Sequence, residues 1–148
     1  MLRWIKEELT PTKRRALGTA MRQILQQHGV GVCSTEWGSH VALKIMEFRL
    51  RMRGSQVINS EAEINQIEPD TAKERFGLDS SEDILLRVFF TARGDKLILL
   101  LHGYDKGENP GHKHQQNQIK EAAKRLTALE ASEKAAKKAA RRGRKGVS

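Results

Sequence analysis

The chain has 148 residues, of which 38% are hydrophobic and 30% charged. That supports one modest core and reads as a single domain with tails. A formal charge of +9 and a pI near 10.0 point to an anionic partner. The one cysteine, Cys33, excludes a disulfide framework within the chain. No apolar run approaches the ~20 residues that span a bilayer, and no secretory apolar region follows the N-terminus. The expectation is a cytoplasmic protein without a membrane partner.

The charge is uneven. From Gly54 to Asp83 there are eight acids and two bases, whereas Lys134 to Ser148 holds seven bases and no acid. Removing that basic end still leaves a cationic remainder, which favours nucleic acid as the anion.

Around Trp4 and Ile5 the chain reads as a helical turn or an N-terminal arm. Thr10-Pro11 then predicts a helix start, threonine capping exposed amides and proline at a position that needs no N–H. Leu17, Ala20, Met21, Ile24 and Leu25 share one helical face, and His28-Gly29 ends the element, giving a helix over 11–27. Val30 to His40, with Gly31 and Gly38, reads as a loop. Lys44 to Arg53 alternates as a strand, with Phe48, Leu50 and Met52 on the core side and Glu47, Arg49, Arg51 and Arg53 on the other.

The acidic stretch from Gln56 to Asp83 reads as an excursion holding one or two short helices. Pro69 is expected to interrupt any long one, and the excursion could instead lie across the basic face. Leu85–Thr91 and Lys96–Leu101 form a hairpin around Arg93, Gly94 and Asp95. Leu97 to Leu101 does not alternate, which predicts a central strand covered on both sides. From Gln115 a helical stripe returns at Ile119, Ala122, Ala123, Leu126 and Leu129. Beyond Ala131 large apolar residues stop, which predicts a frayed helix leading into a disordered basic tail over 132–148. The elements together predict an α+β domain with a small antiparallel sheet.

The chemistry-bearing residues sit on those strands. Arg49 and Arg51 lie on one, Arg87 on the next, and His102, Tyr104 and Lys106 at the end of a third. If the three strands pair, one face gathers them. Cutting a phosphodiester by 2′-OH attack needs a base, cations for the developing phosphate charge, and an acid for the leaving oxygen. Arginine and lysine supply the cations. Tyrosine, histidine or a lysine of lowered pKa supplies the proton transfers, and Tyr104 can also stack on a base. His112 and His114 form a short pair that no cysteine or carboxylate completes, so they read as solvated helix-start residues and no metal or cofactor is expected. Cys33 reads as an inert thiol with no neighbouring cation.

Taken in order, LTPTKRRALGTAMRQILQQHG at 9–29, MEFRLR at 46–51, LLRVFF at 85–90, LLLHGYDKG at 99–107 and QQNQIKEAAKRL at 115–126 resemble the RelE/ParE toxin superfamily. Within it they are most similar to the HigB-like, phage-derived branch. The resemblance implies a RelE-like microbial ribonuclease fold for 1–131, with the acidic excursion at 54–83 as an addition. It also implies ribosome-dependent mRNA cleavage in a bacterial or phage-infected cytoplasm and a helix-turn-helix antitoxin as partner. Glu47 and Arg49 match the family's strand Glu-x-Arg pair, Arg87 its later strand arginine, Tyr104 its aromatic after His-Gly, and Lys106 its following lysine. A second lysine is usual where this chain has Gly107. Arg49, Arg87, Tyr104, Lys106 and His102 are thus the expected catalytic group, with Arg51, Arg53 and Lys113 as RNA contacts. Because the superfamily includes gyrase poisons, a non-enzymatic gyrase inhibitor remains open, as does a non-toxic nucleic-acid-binding regulator.

Overall fold

The computed structural model describes Met1, residues 3–94 and residues 97–145. Asp95 and Lys96 of the expected hairpin turn, and residues 146–148 of the basic end, lie outside the described residues.

A helical turn at Trp4–Glu8 leads to α1, Pro11–Ala20. Thr10 caps α1 by accepting the Lys13 amide at 3.2 Å. The helix does not stay α-helical through residue 27. It widens into a π-turn at Met21–Leu25 before the short α2, Gln26–His28. The expected loop over 30–40 is also corrected. A 3-10 turn, Gly29–Ser34, is followed by a short strand β1, Gly38–Ala42. Its five residues mix glycine, serine and alanine, so no periodic signal marked it.

β1 pairs with β2, Ile45–Arg53, which pairs with β3, Asp83–Arg93, which pairs with β4, Leu97–Asp105. All three pairings are antiparallel, so Arg49, Arg87 and Leu99 lie on strands of one sheet, as the alternation and the hairpin led us to expect. Gly94 takes a left-handed φ of 65° at the β3–β4 turn.

Helices cover both faces of this sheet. Met46, Phe48, Leu50, Leu86, Val88 and Phe90 form the larger core with Ala16, Leu17 and Ala20 of α1, and Met21 and Ile24 pack against it. Ile45, Phe89, Leu101 and Tyr104 on the opposite face meet Ala122 and Leu126 of α5, His112–Lys145, flanked by Ile119, Ala123 and Leu129.

Two further readings change. β4 is an edge strand, not a central one, and Leu97 is largely exposed. Its register shifts where β3 passes from Phe89 to Phe90, so β4 carries an extra residue and loses its alternation. As expected, the chain breaks ahead of Pro69, so the excursion forms no single long helix. The acidic excursion folds as α3, Gly54–Asn65, and α4, Pro69–Phe76, with proline at the first helical position. This unit packs beside α1, where Glu61 meets Arg15 at 3.4 Å, so it does not lie across the strand arginines. Finally, α5 continues to Lys145, well beyond Ala131. Alanine, lysine and arginine have high helix propensity and sustain it without packing.

Candidate active site

Sheet register assembles the site. Arg49 of β2 lies opposite Arg87 of β3, and Arg87 opposite Tyr104 of β4. The neighbouring row on the same face is Glu47, Phe89 and His102. Cross-strand partners stand about 4.5–5.5 Å apart at Cβ, so two guanidinium groups and a phenol meet over the sheet centre. This is the gathering that the strand pattern implied.

The first turns of α5 cover it. Gln115 Nε2 donates to Glu47 Oε2 at 2.9 Å. The His114 ring meets Tyr104 edge-on at 5.4 Å, and Phe89 stacks on Tyr104 at 5.9 Å. As a result Glu47, Arg87 and Tyr104 are only 2%, 8% and 5% exposed. His114 is therefore part of the site and not a solvated helix-start residue; His112 and Lys113 are exposed.

Burial leaves this face short of partners. Arg87 Nε stands 3.6 Å from Glu47 Oε1, beyond hydrogen-bonding range, and one of its terminal nitrogens reaches only the Leu86 carbonyl at 3.4 Å. Arg49 donates to the Gly38 carbonyl at 3.1 Å. Arg49 Nε, Arg87 Nε and the Tyr104 hydroxyl have no hydrogen-bond partner at all. Buried donors without partners are rare, and three on one cross-strand row form a ready cradle for an anion with several oxygens.

Electrostatics sorts the roles. Burial, reinforced by the Glu47 charge and opposed by Arg87, pushes the Tyr104 phenol up to about 12. Tyr104 is therefore a proton-bearing donor at neutral pH, not a base. Burial pulls the Arg87 guanidinium below its usual range, with Glu47 partly restoring it. Burial also lowers His102, against the opposing effect of its bond to Gln118. That imidazole is neutral near pH 7, stacked parallel to Phe89 and joined through Gln118 to His114.

The other expected residues are less central. Lys106 is half-buried just past β4, its backbone N–H bonded to the Leu85 carbonyl at 2.9 Å. Arg51 and Arg53 are exposed at the far end of β2, where Arg53 pairs loosely with Asp83 at 3.8 Å. With Gly107 they border an open cleft. Cys33 is half-buried, and burial raises its thiol pKa. The sequence reading gave it no cationic neighbour, but Arg49 is close enough to offset part of that rise. Among the described residues no cluster of three His, Cys, Asp or Glu side chains is placed to hold a metal ion.

Glu47, set beside Arg49 by the family likeness, stood outside the expected catalytic group, and the Gln115, His114 and Gln118 cover was missed. The signal for that cover was the polar spacing of HKHQQNQ, which puts residues 114, 115 and 118 on one side of a helical turn.

Comparison with protein-family models, with curated proteins and with solved structures finds no match.

Proposed function

We propose that this protein is the toxin of a type II toxin–antitoxin pair and cuts mRNA on the translating ribosome. The observation that carries the reading is the Arg49–Arg87–Tyr104 row with its three unpartnered buried polar atoms. The motif order across 9–129 adds the family and its helix-turn-helix antitoxin partner.

In this reading the two guanidinium groups hold the non-bridging oxygens of the scissile phosphate and stabilise the charge that grows there. Tyr104 donates its O–H to the same group. Glu47 takes the proton of the 2′-OH as that oxygen attacks phosphorus. The bond from phosphorus to the 5′ oxygen breaks, and the Lys106 ammonium protonates that oxygen. The products are a 2′,3′-cyclic phosphate and a 5′-hydroxyl. Substrate entry requires the first turn of α5 to swing aside. The segment before it, Gly107 to Gly111, includes Gly111 at φ 118° and gives that turn a hinge.

Arg49→Gln is the clean test, because Arg49 is half-buried and bonds only a carbonyl. Expression of the parent should arrest growth and yield coding-region cuts by primer extension. The variant should cut on the order of 10²–10³ more slowly with an unchanged circular dichroism spectrum. Growth arrest with intact mRNA would reject cleavage and favour the gyrase-inhibitor reading.

A further inference from the structure

Residues 134–142 of α5 carry a second charged surface. Glu130 pairs with Lys44 at 3.9 Å, and Glu133 with Arg93 at 2.7 Å. Among the described residues these are the last ion pairs between the helix and the sheet. From Lys134 to Gly143 the helix is exposed, and no acid follows Glu133. Lys134, Lys137, Lys138, Arg141 and Arg142 recur at i, i+3, i+4, i+7 and i+8, which places them on one face. Ala135, Ala136, Ala139 and Ala140 form the opposite face. Among the described residues none of the five cations has an ion-pair or hydrogen-bond partner.

This arrangement is locally unfavourable. Lys134 with Lys138, Lys137 with Arg141, and Lys138 with Arg142 are like-charge i, i+4 neighbours, which destabilise an isolated helix. Solubility alone is served better by interspersed glutamates. Lys134 and Lys137 follow Glu130 and Glu133 by four residues, and Lys137 helps hold the Glu133 carboxyl low, but Lys138, Arg141 and Arg142 have no acid one turn before them and gain from an anion outside the molecule. The alanine face has no bulky Trp, Phe or Leu to insert into a membrane, which leaves a lipid surface charge attraction alone and makes it the weaker candidate. Position matters as well. Gln115, over the cleavage face, is nineteen residues before Lys134, or about 28 Å along the helix. The stripe therefore meets something other than the phosphate being cut.

We propose that Lys134, Lys137, Lys138, Arg141 and Arg142 grip the phosphate backbone of double-helical RNA, apart from the cleavage face. The choice of RNA over DNA rests on the ribosomal reading above; the stripe itself does not.

The test is fluorescence anisotropy with a short RNA duplex and the full chain, from about 50 to 200 mM salt. One variant changes the five stripe residues to Gln. A control changes five exposed cations elsewhere, Lys6, Arg22, Lys73, Arg75 and Lys120, to Gln. The stripe variant should weaken binding at the lowest salt by on the order of 10²–10³ and flatten the log–log salt slope by about 4. Circular dichroism should confirm that both variants keep their helix. The proposal is overturned if the parent does not bind the duplex, if the slope is unchanged, or if the control loses as much. Stronger binding to a DNA duplex of the same sequence, to anionic vesicles or to polyglutamate also overturns it. None of these readouts needs mRNA cutting, so a failed cleavage reading and a failed grip are told apart.

Discussion

Two buried ionic clusters lie back to back on the same strands, and they are built on opposite terms. On the α1 side, Lys13 meets Asp105 at 2.5 Å, Glu108 at 3.6 Å and Glu82 at 3.8 Å. Asp105 also receives the Gly107 and Glu108 amides. Burial works against the Lys13 charge, but the bond to Asp105 and the surrounding carboxylates outweigh it and raise its pKa. On the α5 side, one position back along β4, Tyr104 joins Arg87 and Arg49 with three polar atoms unpartnered. The first cluster is saturated and holds the domain together. The second is left incomplete, which is what the proposed phosphate cradle requires.

The largest expected effect comes from breaking the saturated cluster. Lys13→Met strands the buried Asp105 carboxylate, which typically costs about 3–5 kcal/mol. Urea denaturation should show that loss. A loss under about 1 kcal/mol would mean that water already solvates the cluster, and the contrast between the two faces would collapse.

Tyr104→Phe probes the incomplete cluster and should act in the opposite direction. Its hydroxyl is buried without a partner, a state that costs about 1–3 kcal/mol. Removing it should leave stability unchanged or raise it by up to about 1 kcal/mol, while mRNA cutting falls. A clear destabilisation would reveal a hydrogen bond that makes the two faces alike.

The smallest effect is in pH. The folded-state pKa of His102 lies below its unfolded value near 6.5. Its contribution is therefore full above that value and is lost as pH falls through the lowered folded pKa. The urea midpoint should decline on acidification from about pH 7 to about pH 5, and His102→Asn should flatten that decline. Identical slopes for parent and variant would place the acid sensitivity elsewhere.

The Arg49–Arg87–Tyr104 row was legible because period-2 alternation is a strong physical signal. Once Arg49, Arg87 and Tyr104 were assigned to paired strands, the pleat put them on one face. Burial of that row was not legible, since it depends on where α5 docks, and Gln115 reaches Glu47 across 68 positions. β4 was misjudged because a bulge and a fully buried strand produce the same unbroken run of leucines. β1 was missed because Gly38, Ser39 and His40 owe their extended form to pairing with Phe48, Glu47 and Met46, not to their own preferences.

The ring of Trp4 lies over Gly103, at a point where a Cβ would collide with it. A glycine in a strand usually loosens it. Here the missing side chain is supplied by a residue from the other end of the domain. The Lys13–Asp105 pair spans a similar sequence distance, 92 positions. Residues that leave the ribosome first thus find their partners only when β4 emerges. During synthesis α1 and the N-terminal turn wait with their apolar faces uncovered. Completion of the larger core and assembly of the Arg49–Arg87–Tyr104 row depend on the same late strand, so a growing chain cannot carry a finished site before it carries a finished fold.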